Sequence, residues 1–285
     1  MKWFGPRLKI NIGAVLVLGM CLLAVFANVV APHDPYAQNL MLRLKPPVWD
    51  DRGSWTYPLG TDNFGRDILS RILYGARTAI VMGLMSALIS STLGAILGVA
   101  SAYFGGVIDL LIQRAVDIFL SLPIIVLALV VVAMLGRNLV LGFDFNLILA
   151  IAIPIVPNVA RVVRSSALSI REMAYIDAAR VAGYRTSRII FRHMAPNLMA
   201  PYLIMLTAFI AQAILLEASL SFLGLGVTEP TPAWGLMLAG NAVDFYRQAP
   251  WMIIFPGLAI SLAVFAFNLL GDSLRDWLDP KSRLR

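Results

Sequence analysis

An all-α integral membrane protein with six transmembrane helices is the fold class this sequence predicts, and three observations carry it. Hydrophobic residues make up 59% of the chain and charged residues 14%, far from the half-apolar, quarter-charged average of soluble domains. Mean hydropathy is +0.80. Apolar runs near the ~20 residues that cross a hydrocarbon layer recur at 10–31, 79–104, 119–135, 147–163, 198–216 and 252–270.

Orientation follows from the Lys and Arg residues flanking those runs. With the N-terminus inside, Lys2, Arg7, Lys9, Arg114, Arg161, Arg164, Arg171, Arg180, Arg185, Arg188, Arg192, Arg275, Lys281, Arg283 and Arg285 are cytoplasmic, fifteen of the 23 basic residues. The prediction is N-in, C-in. This asymmetry, with attraction to anionic lipid, accounts for the net charge of +7 without nucleic acid.

Residues 1–31 read as a tail and a first anchor. The basic tail before it is signal-like, but the apolar run exceeds an h-region and Pro32 follows directly, so the anchor is retained. Cys21 lies inside this span and reads as core packing. Residues 32–77 form an outer segment rich in Pro and Gly. Near its end Ile68, Leu69, Ile72 and Leu73 recur at helical spacing among Arg66, Asp67 and Arg71, which predicts an amphipathic helix lying on the membrane. Two readings stay open for it: a lid on the bundle, or a contact for an external partner.

Residues 78–285 carry the other five spans. In the inner connection at 103–117, Arg114 and Asp117 stand three apart and are expected to pair. Pro123 is expected to kink the third span, and Pro154 and Pro157 the fourth. The only long polar interval of the second half follows, at about 165–197, on the cytoplasmic face. Ser169 and Glu172 have capping-box spacing, which predicts a helix start. Residues 171–182 are rich in Ala and free of Gly and Pro, and Gly183 supplies a C-terminal stop. Thr186 or Ser187 can cap a second helix running to Pro196. The product is helix, glycine turn, helix. Arg171, Arg180, Arg185, Arg188 and Arg192 make it basic, and Ile176, Val181, Ile189, Ile190 and Phe191 give it apolar knobs, a surface suited to docking on another protein.

Beyond it the fifth span ends in EASLSFLGLG. Glu217 is an acid near the end of a span, which makes it, with Ser219 and Ser221, a candidate pathway or outer-gate group. The competing reading has Glu217 accept backbone hydrogen bonds from the turn that follows. Asp272, Arg275, Asp276 and Asp279 form a charged, helical inner terminus.

The chain contains no G-x-x-x-x-G-K-[ST] phosphate loop, G-x-S-x-G elbow or H-E-x-x-H pair. His33 and His193 fall on opposite sides of the membrane. No nucleotide, catalytic or metal site is expected in this chain, and no cofactor.

DAARVAG at 177–183, followed nine residues later by HMAP at 193–196, resembles the EAA motif of the membrane subunits of bacterial ABC importers, E-A-A, three residues, G, nine residues, I-x-L-P. Asp177 stands for the Glu, His193 for the Ile and Ala195 for the Leu. PLGTDNFGRD, LSRILYGAR, RIIFRHMAPN, EASLSFLGLG, PTPAWGLML, APWMIIFPGLAI and FNLLGDSLRDWLDP look like the second permease subunit of the dipeptide, oligopeptide and nickel branch, from residue 58 onward. Glu229 departs from it, standing where that branch tends to have proline.

The resemblance implies a type I importer permease of the bacterial inner membrane. Its partners would be a homologous permease in a heterodimer, two cytoplasmic ATP-binding subunits holding the ATP and Mg, and an external substrate-binding protein. Glu172, Asp177, Ala178, Ala179, Arg180, Gly183, Arg188, Ile189, Arg192, His193 and Pro196 would form coupling helices seated in the ATPase. Peptides are the implied substrate class, with nickel chelates or another small nutrient behind. A stand-alone channel or secondary transporter would need paired intramembrane charges and matching broken helices in two halves, and no such repeat is present. A DNA-binding helix-turn-helix at 172–193 has membrane spans within a few residues on both sides, which leaves little room for a groove.

Overall fold

The computed structural model describes residues 6–140 and 142–278; of the residues invoked above, Lys2, Asp279, Lys281, Arg283 and Arg285 lie outside the described residues. The fold is helical: α1 (Pro6–Val25), α2 (Ile68–Phe104), α3 (Gly106–Leu120), α4 (Ile124–Leu135), α5 (Phe145–Arg171), α6 (Ala174–Val181), α7 (Thr186–Phe222), α8 (Trp234–Leu238) and α9 (Trp251–Leu278). Among the described residues, α2, α5, α7 and α9 are long and apolar enough to cross a membrane, and α3 with α4, bent by 97°, count together as a fifth. Within α1, Ile12–Val25 is a shorter apolar helix.

The stretch at 68–77 is not a separate amphipathic helix. Asp67 caps α2 by accepting from Ser70 N, and the helix then runs 37 residues without a proline, about 55 Å at 1.5 Å per residue. Ile68, Ser70, Arg71 and Leu73 are buried, so this stretch is the packed head of α2. Residues 32–67 fold over that end of the bundle; Trp251 of α9, for example, donates its indole N–H to the Thr61 carbonyl at 3.1 Å.

Pro123 breaks the third span where a kink was expected. Its backbone is extended (φ −58°, ψ 131°) and α4 has only 12 residues, about 18 Å of helix. Asp117 on α3 pairs with Arg161 of α5 at 2.7 Å and not with Arg114, because its face is turned to α5. Pro154 and Pro157, by contrast, lie within one continuous α5.

Close helix packing centres on Gly94 and Gly98 of α2. A Cβ on Gly94 would stand 2.5 Å from Val159 Cβ, and one on Gly98 2.6 Å from the Ala160 carbonyl, so the small-xxx-small pair is what lets α2 and α5 meet backbone to backbone. The core between them holds Ile151, Ile155, Val159 and Val163, and Gly83, about three turns away on the same face of α2, meets Ile210 and Ile214 of α7.

Candidate functional site

The polar interval forms one end of the bundle. α5 does not stop at Ser169: that hydroxyl back-bonds to the Ser165 carbonyl within α5, and Glu172 is the residue after the helix, exposed and paired with Arg171 at 3.0 Å. The capping box is therefore not formed. The sequence signal fails because Ala167 and Ile170 continue the buried stripe of α5 past it.

α6 follows after Met173 and ends at Gly183, whose φ is +73°. Gly183 N donates to Arg180 O at 2.9 Å and Tyr184 N to Ala179 O at 3.1 Å, the two bonds of a Schellman closure. Ile176 and Ala179 of α6 and Ile189 and Met194 of α7 are buried in the core, so two of the expected knobs, Ile176 and Ile189, anchor the segment internally. Ile190 is half-buried. Val181, 90% exposed, and Phe191, 77%, remain as outward apolar groups.

The second helix does not end at Pro196. Ile189–Met194 is a π-turn, and the chain continues from Thr186 to Phe222 as one helix. The widened turn shifts the hydrogen-bond register just ahead of Pro196, which has no N–H to give, so the ring is carried inside α7. Neither Thr186 nor Ser187 caps it; its N-cap residue is Arg185.

The remaining predicted residues lie on the outside of this unit. Asp177 and Arg180 pair at 3.0 Å, both largely exposed, a contact worth only about 0.3–0.5 kcal/mol. Ala178 is exposed between them. The Arg188 guanidinium sits 4.0 Å above the Tyr184 ring, and Tyr184 stacks on His193 with centroids 5.8 Å apart. Arg192 is exposed beside Phe191. Asn197 ties α7 to α6 by donating to Tyr175 Oη at 3.1 Å. The result is a basic ledge with two apolar protrusions, on an apolar footing.

Sequence reasoning missed what holds the ledge to the bundle. Arg164 donates two bonds to Asp109, at 2.7 and 2.6 Å, and the Ser101 hydroxyl donates to the same carboxylate. Arg171 donates to the Ala102 carbonyl at 2.7 Å. These bonds clamp the end of α5 to α2 and α3 just before α6 begins.

Glu217, Ser219 and Ser221 belong to the opposite end. Glu217 is 1% exposed and accepts from Ser221 Oγ at 2.7 Å, while that oxygen accepts from Val227 N at 3.0 Å. The carboxylate thus meets the following turn through a serine, not directly. Ser219 only back-bonds to Leu215 O at 2.7 Å. Nearby, Arg66 Nε donates to Asp62 at 2.6 Å and Arg66 Nη1 to Glu229 at 2.6 Å, with Arg71 Nη2 3.7 Å from Glu229. Burial alone would depress the Arg66 guanidinium; the hydrogen bonds and charges of Glu229 and Asp62 outweigh it and hold it above its ordinary value.

Residues 90–284 match the family described as binding-protein-dependent transport system inner membrane component. Residues 11–47 match the N-terminal TM domain of oligopeptide transport permease C. The chain is 45% identical over 270 residues to the dipeptide transport system permease protein DppC of Escherichia coli K12, covering 95% of this chain and 88% of that protein. It is 43% identical over 269 residues to the di/tripeptide transport system permease protein DppC of Pseudomonas aeruginosa, covering 94% and 87%. Among solved structures, a chain of the inward-facing MetNI methionine ABC transporter matches with a TM-score of 0.59 at 16% identity, over 74% of this chain and 98% of that one. At that identity the likeness establishes the fold alone.

Proposed function

From the premise that this chain belongs to the family of binding-protein-dependent transport system inner membrane components, we propose that it is one permease subunit of an ATP-driven peptide importer. It pairs with a homologous permease, two cytoplasmic ATPase subunits and an external binding protein in the bacterial inner membrane. The peptide substrate rests on the dipeptide and di/tripeptide permeases it resembles at 45% and 43% identity. The six-span, N-in, C-in topology rests on the charge asymmetry of the sequence together with α1 as the sixth span.

One observation carries the mechanism. The basic ledge, with Val181 on α6 and Phe191 on α7, contains the start of α7, a helix of 37 residues that runs through the π-turn to the other end of the bundle. Such a rod, about 55 Å long, passes a push at the ledge to the far side of a membrane about 30 Å thick. ATP-driven closure of the ATPase pair moves the ledge and opens the pathway outward to receive peptide; hydrolysis resets it. Asp177 with Arg180 orients α6, Gly183 sets its angle to α7, Arg188 and His193 hold the Tyr184 stack, and Ile189 seats the joint. ATP and Mg belong to the partner subunits.

The test is reconstitution of the four-component complex in proteoliposomes with ATP inside and binding protein with radiolabelled dipeptide outside. Uptake that requires both ATP and the binding protein is the expected result. Uptake driven by a proton or sodium gradient without ATP overturns the reading, and uptake of a nickel chelate in place of dipeptide overturns the substrate.

A further inference from the structure

The far end of α7 is wired to the loop that follows it. Glu217 accepts from Ser221, and Ser221 in turn holds Val227 N at 3.0 Å. Leu225 N returns to Leu220 O at 2.9 Å about Gly224, whose φ is +78°. Residues 223–227 are thus an extension of the last turn of α7. The next part of the loop is fastened elsewhere: the Pro232 carbonyl accepts from Thr78 Oγ1 at 2.9 Å, and the Trp234 indole donates to Ile72 O at 3.0 Å, both on α2. Thr228 and Glu229 lie between the two fastenings, where any movement of α7 relative to α2 must be absorbed.

Glu229 closes that joint. Its carboxylate takes Arg66 Nη1 at 2.6 Å and Nη2 at 3.3 Å, and Arg71 Nη2 stands 3.7 Å away. The partners differ sharply in exposure: side chains of Arg66 and Arg71 are 5% and 1% exposed, that of Glu229 48%. The arginines also have a carboxylate of their own. Asp62 accepts from Arg66 Nε at 2.6 Å and lies 3.9 Å from Arg71 Nε, and Arg71 Nη1 donates to Pro35 O at 3.2 Å. Withdrawal of Glu229 therefore places its charge in water and leaves the two arginines sharing Asp62, with Arg71 Nη1 still donating to the Pro35 and Pro230 carbonyls at 3.2 and 3.3 Å, which lowers without cancelling the cost of breaking a buried pair.

We propose that Glu229 is a positioning residue for transport, the releasable half of a clasp whose fixed half is Asp62, Arg66 and Arg71, and that the clasp is closed in one access state and open in the other. Glu217 is the anchor that makes residues 223–227 follow α7. The inference rests on the alternating-access reading above, and it adds a named contact whose opening that reading requires at the far end.

The experiment uses the assembled complex in nanodiscs, with Cys21→Ser and spin labels at Asn63→Cys and Leu223→Cys. In the wild-type background the 63–223 distance is expected to change on the order of 2–5 Å between the nucleotide-free and ATP-trapped states. Glu229→Gln should shift the nucleotide-free distance to the ATP-trapped value and raise ATP turnover without binding protein severalfold; Glu229→Asp, which keeps the charge, should restore dependence on the binding protein. A Glu229→Gln complex with wild-type distance and turnover overturns the clasp while a responsive wild type leaves alternating access standing. A wild-type complex whose ATP turnover ignores the binding protein overturns the alternating-access reading, and the clasp with it.

Discussion

Gly183 offers the sharpest test of the ledge as a lever. Its φ is +73°, and a Cβ built there meets nothing within 4 Å. A substitution therefore clashes with no neighbour, and its whole cost is conformational: about 1–2 kcal/mol for an ordinary L residue in the left-handed region, a factor of about 5–30 in the population of the native turn. Asn tolerates this region several-fold better than other residues. Binding-protein-stimulated ATP turnover of the reconstituted complex should fall in the order Gly, Asn, Ala, Val at position 183, with Ala losing up to about 5–30-fold and membrane insertion unchanged. Gly136 is the control, since it has equally open surroundings but sits at the other end of the bundle, and its φ +65°, ψ −151° lie in a region essentially reserved for glycine; Gly136→Ala bears at least as large a backbone cost and should leave turnover intact. If Asn and Val are equally damaging, or if Gly136→Ala uncouples as Gly183→Ala does, the backbone angle at 183 is not what transmits the movement.

The Asp109–Arg164 contact, with both side chains about a quarter exposed, should be worth about 1–2 kcal/mol; Asp109→Asn and Arg164→Ala should each lower Tm in detergent by about 2–4 °C, and the double variant by no more than the larger single effect. Gly98→Leu forces a side chain onto the Ala160 carbonyl at 2.6 Å, and at a cost of about 3 kcal/mol should abolish a monodisperse peak in size-exclusion chromatography, where Gly98→Ala leaves a diminished one. Glu217→Gln keeps an acceptor for the Ser221 hydroxyl and should retain dipeptide uptake, whereas Glu217→Leu strands that hydroxyl for about 1–3 kcal/mol and should lose it; equal uptake by the two variants would contradict the anchoring role.

The membrane class, most spans and the glycine turn were legible because each is written in contiguous residues: apolar runs of span length, and an Ala-rich helix closed by Gly183. The failures at Asp117, Asp109 and Glu229 share one cause, contacts between segments far apart in sequence. Local spacing matches Asp117 to the basic residue three positions away, but its partner is Arg161, on a helix whose register against α3 no local pattern encodes. The Asp109–Arg164 clamp spans 55 positions, and its sequence trace is only an acid and a base near span ends. Ser169 and Glu172 fit a capping pattern inside a helix whose buried stripe had not ended. Pro196 reads as a stop in the sequence, because a π-turn that accommodates a proline leaves no signature in composition. Glu229 stands out in the sequence only as a departure from the family pattern; its partners, Arg66 and Arg71, are more than 150 positions away.

In this mechanism the ledge at 172–194 receives an ATPase subunit. A photo-crosslinking residue placed singly at Val181, 90% exposed, or at Trp55, 82% exposed at the opposite end, tests it most directly in cells co-expressing the whole transporter. The expected result is an adduct between position 181 and the ATP-binding subunit that changes in yield when ATP is trapped, and none from position 55. An ATPase adduct at 55 with none at 181 would place the ATPase at the other end of the bundle and rule out the ledge as its seat.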